Sequence, residues 1–202
     1  MAIAKRIFDV ALAGLGLALS WPLWLVIAAL IKLDDGGPVF YTQPRVGRGG
    51  VTFRGYKFRS MHVDAEAWFG PRQAAGDDVR VTRVGRWLRV TAMDELPQLL
   101  NILRGDMSFV GPRALMPEEI ETPGAARVPL ASIPGYAARH RVRPGLTGLA
   151  QVFADRDLPR RQKFRYDLLY IRRQSFALDL RLIALSLWIT ARGRWERRGV
   201  KL

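Results

Sequence analysis

The stretch Val10–Ile31, VALAGLGLALSWPLWLVIAALI, decides the architecture: 22 residues without a charge and with a single hydroxyl, Ser20. At about 1.5 Å per residue, a helix of that length just crosses a hydrocarbon core of about 30 Å. Lys5 and Arg6 precede it, as they would in a secretory signal. The chain nevertheless continues Ile31-Lys32-Leu33-Asp34-Asp35 with no small-residue cleavage site, so the segment is expected to remain and to hold the protein at a bilayer.

Pro22 lies near the centre of this run. It removes one backbone donor and crowds the carbonyl four residues back, so a bend or break is expected there. Basic residues stand on both sides, Lys5 and Arg6 before it and Lys32, Arg45, Arg48, Arg54, Lys57 and Arg59 after it. The positive-inside tendency asks both flanks to stay on the cytoplasmic face. A straight span cannot satisfy both, whereas two half-helices meeting at Ser20-Trp21-Pro22 can enter and leave by the same face. The carbonyls freed at the bend then need partners, either Ser20 or a packed protein surface. A kinked transmembrane helix with its N-terminus outside is the competing reading.

Working outward, the chain has 202 residues, enough for one principal domain with a sizeable core. The 32 Lys plus Arg against 18 Asp plus Glu give a formal net charge of +14, which calls for a polyanionic partner without saying which. Cysteine is absent, which excludes disulfides, thiolate nucleophiles and cysteine-ligated zinc. With only His62 and His140, a histidine-rich metal site is not expected.

Val39–Gly47 and Val51–Met61 are rich in β-branched and aromatic residues around Gly47, Gly49 and Gly50, which reads as a hairpin or two extended segments. Residues 64–80 read as a surface helix and loop. Leu96, Leu99, Leu100 and Leu103 have amphipathic helical spacing. Asp94 is placed to cap that helix, Pro97 to sit in its first turn, and Gly105 to end it. Ser108–Arg113 and Val142–Gly148 read as extended pieces with rigid, basic turns. Residues 160–173 and 176–191 read as helices. The second is apolar nearly all round but uncharged only over Leu182–Ala191, too short to span, so packing on the core or lying in the interface is expected, with Arg192, Arg194, Arg197 and Arg198 as headgroup anchors.

The chemistry must come from elsewhere than the familiar motifs: no GxGxxG with a following acid, no GKS/GKT loop, no HExxH and no GxSxG is present. What remains is the adjacent pair Asp94-Glu95 at a helix start, among arginines that could hold an anion. Such a position favours the ionised carboxylate, and an ionised aspartate can attack phosphorus while arginine forks offset charge on the transferring group. Simple helix capping explains the same pair.

KRIFD (5–9), the proline-broken segment, YKFRSM (56–61), DELPQLLNILRGDMSFVGPR (94–113), VRPGLTGLAQV (142–152) and YDLLYIRRQSFALDLRLI (166–183) resemble, in this order, the bacterial sugar transferases. These are monotopic, single-domain polyprenyl-phosphate phosphoglycosyl transferases. The resemblance covers almost the whole chain. It implies transfer of a sugar 1-phosphate from a UDP-sugar to polyprenyl (undecaprenyl) phosphate with release of UMP, starting the assembly of a lipid-linked glycan or exopolysaccharide. It also implies a ping-pong course through a covalent aspartyl-phosphosugar intermediate, with Asp94 as nucleophile and Glu95 as its partner acid. Mg2+ is the implied cofactor, with Asp94 as its protein contact. Arg89 and Arg113 correspond to the family's phosphate-binding arginines, and Lys57, Arg59, Arg143 and Gly145 are assigned to the same pocket. Ser20, Trp21 and Pro22 form the helix break. Two departures stand out: Trp21 separates a serine and proline that are usually adjacent, and the usual GPRP ends in Ala114.

The expected fold is therefore α/β in the α+β sense and mostly helical. Residues 1–33 form a re-entrant membrane helix and 34–202 a cytosolic, membrane-associated catalytic domain with interfacial amphipathic helices. The expected location is the cytoplasmic face of the bacterial inner membrane. Expected partners are the UDP-sugar, polyprenyl phosphate and anionic membrane lipids, with a homo-oligomer allowed for and no nucleic acid. A non-enzymatic membrane scaffold and a nucleotide-sugar hydrolase are the rival readings.

Overall fold

A computed structural model of the chain describes residues 2–63, 65, 78–117, 119–121, 128–155 and 158–195. Helix α1 runs from Ala2 to Asp35 with Pro22 inside it, about 50 Å of helix measured along its path. Its buried and half-buried positions include Asp9, Ala13, Leu17, Ser20, Trp24, Ile27 and Ile31. They recur every three or four residues, so they form one face turned to the rest of the protein. The other face leaves Leu15, Leu19, Trp21, Leu25, Val26, Leu30 and Leu33 exposed. A helix this long and apolar can cross a membrane by length and composition.

Both ends of α1 are tied to the same body. Near the start, Lys5 Nζ lies 2.6 Å from Asp179 Oδ2. Arg6 donates to the carbonyls of Ile102 and Leu103 at 2.5 and 2.8 Å. Asp9 accepts from the Phe109 amide at 3.1 Å. Near the end, Asp34 accepts from the Val84 amide at 3.0 Å and Asp35 pairs with Arg59. Along this helix, residues 18–22 are exposed apart from the half-buried Ser20.

Strands β1 (Phe40–Val46) and β2 (Thr52–Phe58) form the expected antiparallel hairpin, with Phe40 opposite Phe58 and Val46 opposite Thr52. Gly49 and Gly50 take φ of +70° and +82° at its tip, a region that suits residues without a Cβ. Most of the surface helix and loop expected at 64–80 lies outside the described residues. Helix α2 (Arg83–Val90) follows, then a 3₁₀ turn (Met93–Glu95) and helix α3 (Gln98–Arg104). The capping expectation needs correction here. Pro97 is the residue before α3 rather than part of its first turn, and no side chain caps the helix. Asp94 sits in the 3₁₀ turn and caps nothing there, because its carboxylate faces charged side chains instead of backbone amides. Gly105, at φ +94°, ends α3 as expected, its N–H donating to the carbonyls of Asn101 and Ile102.

Strand β3 (Ser108–Val110) pairs in parallel with β6 (Gly145–Thr147), and the short β4 (Ile120–Glu121) and β5 (Val128–Pro129) pair antiparallel. Helices α4 (Tyr136–Arg139) and α5 (Leu149–Phe153) flank β6 in sequence. Helices α6 (Arg160–Arg173) and α7 (Phe176–Ala191) have the bounds read from the sequence, and the Ser175 hydroxyl caps α7 by accepting from the Leu178 amide at 3.2 Å.

Two of the apolar clusters include α1 residues. Ile27 and Ile31 pack with Phe58 and Leu88, and Ala13 packs with Leu99, Ile102 and Met107. The membrane-type helix is thus part of the core. Val110, Val152, Tyr170, Leu182 and Ile189 form a third cluster under α6 and α7. Helix α7 exposes Phe176, Leu180, Leu187 and Trp188. Phe8 of α1 meets Phe176 edge-on at 5.0 Å, so the apolar surface of α1 continues onto α7.

Candidate active site

Four elements bring the acidic pair and its cations together. Helix α2 is capped by Thr82, whose hydroxyl accepts from the Gly85 amide at 2.9 Å. A Cβ on Gly85 would lie 2.0 Å from the Ser60 carbonyl oxygen, so the close approach of α2 to the end of β2 requires glycine. After Arg89 in its last turn, Ala92 takes φ +54°, the one left-handed non-glycine residue among those described. Such a backbone costs about 1–2 kcal/mol, and here it turns the chain from α2 into the 3₁₀ turn that carries Asp94 and Glu95.

Lys57 on β2 bonds Glu95 Oε1 at 2.6 Å and stands 3.7 Å from Asp94 Oδ2. Arg113, beyond β3, reaches the same Glu95 oxygen at 3.1 Å. Buried Asn101 fixes the relation between β2 and α3. Its amide oxygen accepts from the Tyr56 N–H at 3.0 Å, and its amide nitrogen donates to the Arg54 carbonyl at 2.7 Å. Around Arg113 the backbone is as tightly set. A Cβ on Gly145 would lie 2.0 Å from the Gly111 nitrogen, and one on Gly111 2.4 Å from the Arg143 carbonyl oxygen. The two basic turns of the sequence therefore interlock through their glycines. Arg139, buried in an ion pair with Asp167 at 2.9 Å, donates to the Arg113 carbonyl at 2.6 Å.

Asp94, Glu95, Lys57, Arg89 and Arg113 all border one cavity of about 920 Å³. Their electrostatics differ by residue. Burial pushes the Asp94 carboxyl up, opposed by Lys57, Arg89 and Arg113 and reinforced by Glu95. Glu95 is held well below the usual carboxylate range because Lys57 and Arg113, bonded to it at 2.6 and 3.1 Å, outweigh its burial. The ready ionisation expected for a carboxylate at a helix start thus applies to Glu95, while Asp94 is the more basic of the two. Burial lowers the Arg89 pKa, with Asp94 acting against that shift.

The remaining sequence candidates lie as follows. Gly145 borders a recess next to Glu95 and Arg113. Arg59 borders the main cavity, but its guanidinium bonds Asp35 and, at 2.6 Å, the Pro38 carbonyl, fastening the end of α1. Arg143 Nε donates to the Gly105 carbonyl at 2.8 Å, at the end of α3. Ser20 Oγ accepts from the Trp24 indole at 3.1 Å, and Trp21 is 60 % exposed. Among the described residues no group of three His, Asp or Glu side chains gathers as a metal cage.

Sequence reasoning did not single out Asn101, Arg139 or Asp167 as supports of the site. The available signal was a polar residue inside an apolar helical face, as Asn101 stands between Leu99, Leu100 and Ile102.

The family model for bacterial sugar transferases matches residues 1–193. The undecaprenyl-phosphate glucose phosphotransferase of Komagataeibacter xylinus is 43 % identical over 192 residues, covering 92 % of this chain and 35 % of that protein. The UDP-glucose:undecaprenyl-phosphate glucose-1-phosphate transferase of Caulobacter vibrioides is 45 % identical over 188 residues, 90 % of this chain and 67 % of that protein. The UDP-N-acetylgalactosamine-undecaprenyl-phosphate N-acetylgalactosaminephosphotransferase of Aeromonas hydrophila is 42 % identical over 186 residues, 90 % and 42 % of the two chains. The chain thus spans little more than a third of some of these relatives and about two thirds of another. With a match over nearly its full length and motifs that meet around one cavity, the chain belongs to the bacterial sugar transferase family.

Proposed function

We propose that this protein transfers a sugar 1-phosphate from a UDP-sugar to polyprenyl phosphate, releasing UMP and starting lipid-linked glycan or exopolysaccharide assembly. The observation that carries the reading is a buried Asp94 beside an ion-paired Glu95, both facing a cavity that Arg89, Arg113 and Lys57 also border. An Asp94 oxygen attacks the sugar-bearing phosphorus, and the bond to the UMP oxygen breaks with its electron pair leaving on UMP. A phosphate oxygen of the polyprenyl phosphate then attacks the same phosphorus and frees the Asp94 carboxylate. Lys57, Arg89 and Arg113 offset charge on the transferring group, as positioned cations do in other phosphoryl transfers. Glu95, ionised and held by Lys57 and Arg113, keeps these two cations oriented beside the transferring group.

Mg2+ is part of the proposal. It is commonly bound by one or two carboxylates with substrate phosphate oxygens completing the shell, and Asp94 with a diphosphate fits that mode. When bound, the ion supplies neutralisation of phosphate charge; the Glu95 side chain is already committed to Lys57 and Arg113.

Residues 1–33 enter the bilayer from the cytoplasmic face of the bacterial inner membrane and return to it, while 34–202 form the cytosolic catalytic domain. Attachment of both ends of α1 to one body supports this, as does the exposure of residues 18–22 around Pro22. Anionic headgroups meet the basic surface, and Arg192 stacked 4.1 Å over Trp188 fits an interfacial α7.

The deciding assay measures UMP release from a UDP-sugar with and without polyprenyl phosphate. Release that depends on the lipid, with covalent labelling of wild-type protein by a donor labelled in its sugar-bearing phosphate, is expected. Equal release without lipid would make the protein a hydrolase. For topology, cysteines placed at position 3 and at the C-terminus should both resist an impermeant thiol reagent in intact cells, and labelling of position 3 alone would refute re-entry.

A further inference from the structure

Arg45 stands out in the sequence only as one of the basic residues after the membrane segment. In the fold it borders, with Lys57, Glu95, Gln98, Arg113 and Ala114, a recess beside the acidic pair. Its guanidinium is oriented by two acceptors: Nη1 donates to the Ala114 carbonyl at 3.0 Å and Nη2 to the Gln43 side-chain oxygen at 2.5 Å. Gln43 is itself tied to Met116 Sδ at 2.7 Å. The stem passes over Gly55, where a Cβ would lie 3.0 Å from Arg45 Cγ. Both acceptors are neutral, so neither cancels the charge. Arg113 and Glu95 each act on it electrostatically, which sets it in the same field as the reacting groups.

The placement has a use. The diphosphate of a nucleotide sugar carries negative charge that Lys57, Arg89 and Arg113 meet while also facing the acidic pair. Arg45 adds a further cation beside them, from a planar fork suited to phosphate oxygens and already held in one orientation.

We propose that Arg45 is a further substrate-binding residue, receiving the diphosphate of the nucleotide donor together with Lys57 and Arg113. Gln43 and the Ala114 carbonyl fix its fork. The inference rests on the donor being a nucleoside-diphosphate sugar, as assigned above.

UDP is the probe, titrated calorimetrically into the full chain in nanodiscs, for wild type, Arg45→Gln and Arg45→Lys. Loss of a charge-assisted contact should weaken UDP about tenfold or more in R45Q. R45K should recover part of it, the thermal midpoints should stay close to wild type, and KM for the UDP-sugar should rise more than kcat falls. Unchanged UDP affinity in R45Q would overturn the role. So would an equal loss in R45K and R45Q with a lowered midpoint, because that is the behaviour of a structural tether to Ala114. Absence of UDP binding to wild type would instead remove the donor assignment itself, and the Arg45 role with it.

Discussion

Asp94 and Asp167 are both buried carboxylates, 7 % and 2 % exposed, and burial raises the proton affinity of each. Their surroundings differ in kind. Asp167 accepts directly from Arg139 at 2.9 Å, and that guanidinium also stacks on Phe164 and holds the Arg113 carbonyl. At Asp94 the Lys57 ammonium stands 3.7 Å off and makes its short bond to Glu95. A similar division separates the start of α1, where Lys5, Asp179 and the Tyr170 hydroxyl form a bonded chain at 2.6 and 2.7 Å. Where buried charge is closed off by a matched partner, it fastens elements together. Where it is left within reach of several cations that touch a cavity, it can be passed to a substrate.

The sharpest test of that contrast is Asp94→Asn, which should lower both half-reactions by roughly 10⁴-fold or more, as loss of a nucleophile does. It should also stabilise the fold. Because the Asp94 pKa is raised, the folded protein above that pKa carries a charge that the unfolded chain accommodates more easily. D94N removes this penalty at neutral pH, and the advantage disappears as pH falls below the ordinary aspartate value of about 4, where both states are protonated. A midpoint of thermal unfolding that drops at pH 8 would place Asp94 among the structural carboxylates.

Asp167→Ala should behave in the opposite sense. It strands a fully buried guanidinium, and breaking such a pair costs about 3–5 kcal/mol. Denaturant unfolding would read the loss directly. Residual activity should fall because the Arg113 backbone loses its fixed donor. A neutral outcome would mean that Arg139 finds another acceptor and that the pairing contrast is weaker than drawn.

Lys57→Met probes the coupling between the two acids. Lys57 lowers the pKa of both, so its loss should move the acid limb of the pH–rate profile for the first half-reaction to higher pH. The pair titrates jointly, so the limb belongs to the dyad. An unmoved limb would exclude Lys57 as the group that keeps Asp94 ionised.

The division also explains what could be read without coordinates. Helices 160–173 and 176–191 were legible because Ser175 interrupts them with a capping residue and each side carries its own periodicity. The acidic pair was legible because it opens a specific motif, DELPQLLNILRGDMSFVGPR (94–113). The supports were not, since the partners of Asp9, Asp167 and Asp179 lie 100, 28 and 174 residues away and local spacing says nothing about them. Arg59 and Arg143 share the residue type and neighbourhood of a phosphate ligand, and local spacing does not announce that they also hold Asp35 with the Pro38 carbonyl and the Gly105 carbonyl. Asp94 itself reads as a cap on spacing alone, and the left-handed Ala92 that diverts it into a 3₁₀ turn has no sequence signature.

The smallest effect is expected at Ser20. Its hydroxyl accepts from the Trp24 indole one turn on, so the serine's lone pair is spent on a ring packed against Phe58 and Phe40. Ser20→Ala should therefore cost about 0.5–1.5 kcal/mol, the worth of one hydrogen bond, without changing topology or transfer rate. Pro22→Ala is the informative companion, because it restores the missing donor and removes the clash that favours a bend. If the intervening Trp21 leaves the proline in sole charge of re-entry, P22A should expose position 3 to the impermeant thiol reagent while S20A does not. Equal labelling in both variants would make the bend depend on the Ser20–Trp24 bond as well as on Pro22, and no labelling in either would assign it to the staples of Lys5, Arg6 and Asp9.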